Sequence, residues 1–347
     1  MTIKASIIGA TGYAGAELVR ILSGHPETEL VALTTQSYED KPFWEIYPHL
    51  YKYNQLNAEK MDLDRIIEQS DVIFIALPHG HAMPMALEAA SRGKAVIDLG
   101  ADFRFNDHRI YEDWYKVVHA AKELLKSAVY GLPELNRAAV RQASLIANPG
   151  CYPTSAILAL APLLEHRLIN PRSIIIDSKS GVSGAGRGLS LNTHFCEIGQ
   201  NFKAYGVASH RHTPEIEQEL GKLAGEAVTV SFTPHLVPVT RGILSTIYAE
   251  LGNLMQPEEL QKLYEDYYKE EFFVRVLPQG MLPQIKWVAG TNHCDLGLTV
   301  DPRTGRVIVI SAIDNLIKGA SGQAVQNMNI IFDLPESTGL AGPGMYP

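Results

Sequence analysis

The chain has 347 residues, of which 46% are hydrophobic and 20% charged, and a formal net charge of −8 at pH 7. That balance excludes a disordered chain, and without a basic run or an excess of Lys and Arg it excludes nucleic acid as a partner. Three cysteines, Cys151, Cys196 and Cys294, with no CxxC pair, exclude a disulfide framework and a cysteine-rich zinc site and fit a reducing compartment.

The length suits two domains. No signal-peptide pattern follows Met1, and no apolar stretch nears the roughly 20 residues needed to cross a bilayer, so a cytoplasmic protein without membrane contact is expected. Residues 5–9 form a short apolar strand ending in glycine, and 16–22 have helical spacing. A second strand follows at 29–34, a helix at 62–69, a buried strand at 71–77, a helix at 83–92 and another buried strand at 95–99. Continuous apolar strands separated by helices predict a parallel sheet covered on both faces, a Rossmann-like doubly wound α/β domain. After Asn148-Pro149-Gly150 the pattern changes. A helix at 154–165 precedes segments of antiparallel character at 174–177, 228–233, 243–251 and 306–313, with amphipathic helices at 213–224 and 257–268. These predict an α+β domain with a mixed sheet, serving catalysis and dimerisation. A small-residue helix at 319–328 is expected to return to the first domain, and 337–347 to be an extended arm. The expected division is 1–150 with 318–347 for the dinucleotide domain and 151–317 for the other.

Gly9-Ala10-Thr11-Gly12-Tyr13-Ala14-Gly15 sits between the first strand and the first helix. Such a turn lets the backbone approach a pyrophosphate and aims free N–H groups at it, making Gly9, Thr11, Gly12, Tyr13, Ala14 and Gly15 candidate cofactor contacts. At the end of the second strand an NAD enzyme usually carries an acidic residue for the ribose 2′-hydroxyl. Here Thr34-Thr35-Gln36-Ser37-Tyr38 carries hydroxyls, and Lys41 follows. Ser37 in that place favours a 2′-phosphate and hence NADP, although Glu39 and Asp40 lie close by.

In Asn148-Pro149-Gly150-Cys151-Tyr152-Pro153-Thr154 a cysteine stands where a helix begins. Backbone N–H groups and the positive end of the helix dipole stabilise thiolate over thiol there, and the same groups can hold an oxyanion. The plain alternative is a small buried core residue. Cys196 and Cys294 lack that setting and are read as structural.

With these segments come Ser180-Gly181-Val182-Ser183-Gly184-Ala185-Gly186-Arg187 and Ser209-His210-Arg211-His212-Thr213-Pro214-Glu215. In this order the set resembles the N-acetyl-gamma-glutamyl-phosphate reductase family of the aspartate-semialdehyde dehydrogenase superfamily, over essentially the whole chain. The resemblance implies Cys151 as nucleophile and His210 as acid/base, with Glu215 as an orienting, substrate-side carboxylate. It also implies Gly181, Val182, Ser183 and Gly184 at the nicotinamide end of the cofactor; His212 is read as a substrate contact. Asn315, Gln323 and Asn327 are implied as returning cofactor contacts. From the residues alone either histidine suits proton transfer, and an extended backbone would point the two to opposite sides. Pro78 and His79, after a parallel strand, are expected to line the nicotinamide pocket. The pairs His79/His81 and His210/His212 lack a carboxylate at metal-ligand spacing, so no metal is expected.

Arg104 reads equally as a phosphate fork or as a salt bridge with Asp102 or Asp107. The superfamily's arginine for the acyl phosphate favours the fork, with Asn148 assisting and Arg211 or Lys203 meeting the α-carboxylate. The implied reaction is NADPH-dependent reduction of N-acetyl-L-glutamyl 5-phosphate to the 5-semialdehyde, releasing inorganic phosphate, in arginine biosynthesis by a homodimer or homotetramer. Carrier-linked aminoadipyl phosphate and aspartyl phosphate are the alternative substrates, and a non-enzymatic NADP sensor is a remote one. A short-chain dehydrogenase is excluded, because no tyrosine has lysine four positions on.

Overall fold

The structure, a computed structural model, describes residues 2–344. The described residues divide into two compact units, 2–150 with 320–342 and 151–319 with 343–344. The second unit runs two residues past the expected limit at 317 and takes in Pro343 and Gly344.

The first unit's strands are β1 (Ile3–Ile8), β2 (Thr28–Thr34), β3 (Lys41–Pro42), β4 (Asn57–Glu59), β5 (Val72–Ile75), β6 (Ala95–Asp98), β7 (Val129–Tyr130) and β8 (Leu145–Ala147). They lie in the order β3-β4-β2-β1-β5-β6-β8-β7. Every pairing is parallel except that of β3 with β4. The chain leaves β1 for β2 on one side and reaches β5 on the other, the switch point at which doubly wound sheets open a crevice. Val72, Ile73, Phe74 and Ile75 are all fully buried, as a strand covered on both faces requires. Asp62 caps the Leu63–Gln69 helix by accepting the Arg65 N–H.

The second unit holds β9 (Ile175–Gly181), β10 (Lys203–Ala204), β11 (Ser231–Val237), β12 (Ile243–Glu250), β13 (Val274–Val276), β14 (Cys294–Asp301) and β15 (Arg306–Ile313). The order is β10-β11-β9-β12-β15-β14-β13. β9 with β11 and β13 with β14 are parallel and the other pairings antiparallel, so the sheet is mixed. Strand β14 escapes the sequence pattern because Asp295 interrupts it, yet Asp295 is buried and paired with Arg275 at 2.6 Å. β11 begins at Ser231 rather than 228 and continues past the expected limit at 233, through Pro234. Its outer neighbour β10 is two residues long, so the missing N–H costs the sheet little.

The helix expected at 154–165 is Cys151–Glu165. Pro153 falls in its first turn, where an N–H has no intrahelical acceptor to lose. Ser155 lies on the sheet, with its hydroxyl 2.9 Å from Ser245 Oγ and 3.0 Å from Ser311 Oγ. Pro162 inside the helix cannot donate to the Leu158 carbonyl. The Tyr268 hydroxyl, from the Pro257–Tyr268 helix, donates to it instead at 2.6 Å.

The 319–328 helix resolves into a π turn, Ile317–Ser321, and an α-helix, Gly322–Ile331. The tail is not an extended arm as far as it is described. Asn329 Nδ2 donates to the carbonyls of Glu336 and Thr338, and Leu340 is buried; 345–347 lie outside the described residues. No helix among the described residues is long and apolar enough to cross a membrane.

Candidate functional site

In the first unit the glycine turn is built by close approach. Gly9 has φ +85°, and a Cβ there would lie 2.5 Å from the Ala76 carbonyl oxygen; one on Gly15 would lie 2.3 Å from that of Gly9. Both positions therefore need glycine. The Gly9 N–H donates to Thr34 Oγ1 at 3.1 Å and the Ala10 N–H to the Thr34 carbonyl at 3.0 Å, pinning the turn to β2. The Tyr13–Ser23 helix that follows has no side-chain cap at Gly12, so the N–H groups of Tyr13, Ala14 and Gly15 begin a helix without an intrahelical acceptor. Thr11 Oγ1 meets Thr35 Oγ1 at 3.3 Å, and Thr35 Oγ1 accepts from the N–H groups of Ser37 and Tyr38 at 3.2 and 3.3 Å. That folds the loop after β2 beside the turn and leaves Ser37 exposed.

Pro78 and His79 follow β5, and the His79 ring lies edge-on to Tyr115 at 5.1 Å. Asp102 holds the next turn, accepting from Gly80 N–H at 2.7 Å, Ala82 N–H at 3.1 Å and Tyr111 OH at 2.8 Å. Asp98 is fully buried, and burial with the neighbouring Asp102 charge pushes its carboxyl up to about 7. Gln323 is buried with neither amide atom hydrogen-bonded, and Asn327 Oδ1 is likewise buried without a donor. Buried amides are rarely left so, and a bound polar ligand is what such groups await. Uncapped N–H groups, obligatory glycines and the orphaned Gln323 amide together fit a dinucleotide.

Arg104 is held by backbone carbonyls. It is buried, with Nε donating to the Asn148 carbonyl at 2.8 Å and Nη2 to that of Leu99 at 2.9 Å; Asp107 pairs with Arg109. Asn148 Nδ2 donates to the Ala320 carbonyl at 3.0 Å, and its Oδ1 accepts from Asn327 at 3.2 Å. Both residues thus shape the turn just ahead of Cys151.

In the second unit Cys151 is half-buried at the first position of its helix. Gly319 makes room for it, since a Cβ on Gly319 would come within 2.7 Å of Cys151 Cβ. Residues 206–212 turn rather than extend. His210 and His212 therefore face the same way, with ring centroids 4.9 Å apart, and both pack edge-on against Tyr152 at 5.5 and 5.9 Å. The His212 N–H donates to His210 Nδ1 at 3.1 Å, so a neutral His210 carries its proton on Nε2. Burial, with a smaller push from Arg211, lowers His210 to about 4. Glu215 is buried in the first turn of the Thr213–Ala224 helix, and Arg211 is exposed. Lys203 Nζ reaches Asn192 Oδ1 at 3.3 Å.

Ser180 and Gly181 belong to β9; the chain leaves the sheet only at the Val182–Ala185 turn. Asn315 spends its amide there, accepting from Gly242 N–H at 2.7 Å and donating to Ser183 Oγ at 3.0 Å; Gly184 is exposed. Cys294 is buried, whereas Cys196 is exposed on the Phe195–Ile198 helix, contrary to a structural role. Sequence reading missed Tyr152 and Tyr205, whose hydroxyls meet at 2.9 Å. The position of Tyr152 beside the cysteine was its one signal. Among the described residues no group of three or more metal-ligating side chains could hold a metal ion.

Residues 4–143 match the family model described as semialdehyde dehydrogenase, NAD binding domain. Residues 151–315 match the one described as semialdehyde dehydrogenase, dimerisation domain. Fold and site thus define an oxidoreductase of the semialdehyde dehydrogenase class. An N-acetyl-gamma-glutamyl-phosphate reductase of Pelotomaculum thermopropionicum is 73% identical over 347 residues, covering 100% of both chains. That of Desulforudis audaxviator is 64% identical over 345 residues, covering 99% of this chain and 100% of its own. The chain belongs to the N-acetyl-gamma-glutamyl-phosphate reductase family. Among solved structures, aspartate semialdehyde dehydrogenase II of Vibrio cholerae complexed with ASA has a TM-score of 0.74 at 20% identity, covering 96% of this chain and 99% of its own. Aspartate semialdehyde dehydrogenase with NADP from Candida albicans has a TM-score of 0.73 at 18% identity, with the same coverage. At such identity the likeness is one of fold.

Proposed function

We propose that the protein reduces N-acetyl-L-glutamyl 5-phosphate to N-acetyl-L-glutamate 5-semialdehyde through a thioester on Cys151, in arginine biosynthesis. The observation that carries this reading is a half-buried thiol in the first turn of an otherwise buried helix, whose next residue, Tyr152, packs its ring against His210 and His212. When bound, NADPH supplies the hydride. The glycine turn from Gly9 to Gly15 would hold its pyrophosphate, Ser37 the 2′-phosphate, and Gln323 the carboxamide of its nicotinamide ring. Pro78, His79, Gly181–Gly184, Asn315 and Asn327 complete the proposed cofactor set.

The Cys151 thiolate attacks the acyl carbon, the carbon–oxygen bond to phosphate breaks, and inorganic phosphate carries away the electron pair. Arg104 is the proposed phosphate cation, steadied through its bonds to the Asn148 and Leu99 carbonyls. Once the thioester is reduced, His210 Nε2–H gives its proton to the oxyanion on the former carbonyl carbon and takes it back as the thiohemiacetal collapses. The carbonyl re-forms, the thiolate leaves, and Cys151 is regenerated. Arg211, His212 and Glu215 are assigned to the substrate's own polar groups. The dimerisation-domain match supports a homodimer or homotetramer, and we place the enzyme in the cytoplasm.

The test is phosphate-dependent reduction of NADP by N-acetylglutamate semialdehyde, run beside aspartate semialdehyde and beside NAD, with wild type and Cys151→Ser. Turnover of the acetylated substrate with NADP, lost in Cys151→Ser while NADPH still binds, is expected. Turnover of the aspartyl compound alone overturns the substrate; turnover by Cys151→Ser overturns the covalent route.

A further inference from the structure

The loop after β2 hangs on one hydroxyl. Thr35, the first residue beyond that strand, is buried, and its N–H donates to the Glu59 carbonyl of β4 at 2.9 Å. Its Oγ1 accepts from the N–H groups of Ser37 at 3.2 Å and Tyr38 at 3.3 Å, and it meets Thr11 Oγ1 at 3.3 Å. A hydroxyl has two lone pairs and one proton. The two N–H groups take the lone pairs, so the Thr35 proton goes to Thr11 Oγ1. One side chain thereby closes the loop as a local turn and ties it to the glycine turn.

The far end of the loop is fixed separately. The Asp40 N–H donates to the Ala58 carbonyl at 2.8 Å, and the Lys41 N–H to that of Tyr38 at 3.4 Å. Between these anchors Ser37 and Glu39 are both exposed, as is Asp40 itself. What the loop presents to a ribose therefore depends on how it is folded. With Ser37 forward it offers a hydroxyl to a 2′-phosphate. With Glu39 or Asp40 forward it would offer a carboxylate, which repels a phosphate and accepts from a 2′-hydroxyl.

We propose that Thr35 is a positioning residue that sets the preference for NADP over NAD. Its hydroxyl gathers the Ser37 and Tyr38 N–H groups, holds Ser37 at the ribose and keeps Glu39 and Asp40 away from it. The bond to Thr11 fixes this loop relative to the turn that takes the pyrophosphate. Thr35 itself touches no cofactor. The proposal rests on the reading of Ser37 and the Gly9–Gly15 turn as cofactor contacts, and it adds the residue that decides which side chain of the loop meets the 2′ position.

The experiment measures Kd for NADPH and for NADH by fluorescence titration of the full-length protein. Thr35→Val keeps the shape of the side chain and removes the acceptor of two N–H groups. Its NADPH Kd is expected to rise about tenfold, while its NADH Kd stays within about twofold of the parent. Thr35→Ala is measured beside it, so that a packing fault peculiar to valine does not decide the outcome. Thr35→Ser keeps the hydroxyl and should bind NADPH like the parent. Ser37→Ala should weaken NADPH in the same selective way, and the double variant with Thr35→Val less than additively. Equal weakening towards both cofactors, as a general loosening gives, overturns the proposal. So does an unchanged NADPH Kd in Thr35→Val, or no recovery in Thr35→Ser. If Ser37→Ala weakens NADPH and Thr35→Val does not, only the Thr35 role fails. If Ser37→Ala and Gly15→Ala both bind NADPH like the parent, the cofactor reading fails first.

Discussion

Removing the Tyr268 hydroxyl should weaken the helix that carries Cys151, and restoring the backbone donor it replaces should mend it. Leu158 is fully buried and Tyr268 is 3% exposed, so no water substitutes when the 2.6 Å bond to the Leu158 carbonyl is lost. A buried acceptor without a donor costs about 1–3 kcal/mol. With a urea slope of roughly 2 kcal/mol per molar, Tyr268→Phe should lower the unfolding midpoint of its unit by about 0.5–1.5 M. Pro162→Ala supplies an N–H four residues beyond Leu158, the regular helical donor for that carbonyl. In the Tyr268→Phe background it should recover at least about 1 kcal/mol more than in the wild type, measured by urea melts followed by circular dichroism in a four-member cycle. Additive effects would refute the exchange of donors, leaving Tyr268 as a packing residue only.

Three further outcomes follow. Gly15→Ala drives a Cβ into backbone 2.3 Å away and should weaken NADPH binding at least about tenfold by fluorescence titration, the scale of about 1.4 kcal/mol; an unchanged Kd would contradict the tight turn. Gln323→Leu removes an amide with two unpaired buried atoms, so the ligand-free protein should melt higher while NADPH binds less well. A lower melting point, or full affinity, would show that the amide is satisfied without the cofactor. Because the folded state holds His210 to about 4, the unfolded chain binds the extra proton first. Stability should fall as pH drops from about 6.5 towards 4, by up to ~1.4 kcal/mol per pH unit for that group. His210→Gln should shallow the slope of urea midpoints across that window, and His293, lowered by burial to about 4, should retain part of it.

The first unit was largely legible because its signals are local. Val72–Ile75 is a continuous apolar run, and the Gly9–Gly15 turn is spelled by glycines that two close backbone approaches demand. Where tertiary partners override local pattern, the reading slipped. Asp295 hid β14 because a buried carboxylate paired with Arg275 looks like an exposed one in sequence. His210 and His212 were placed on opposite sides by an extended backbone that is in fact a turn. The bonds of Arg104 to the Asn148 and Leu99 carbonyls left no trace in the sequence, because they join segments that only the fold brings together. Tyr205 gave no signal, since 53 residues separate it from the hydroxyl it meets.

The most direct measurement is intact-protein mass spectrometry after the chain is mixed with N-acetylglutamyl phosphate without NADPH and quenched in acid. One N-acetylglutamyl group should appear, map to the Cys151 peptide, and vanish when NADPH is added. No adduct, or an adduct on another side chain, would contradict a reaction that passes through this sulfur.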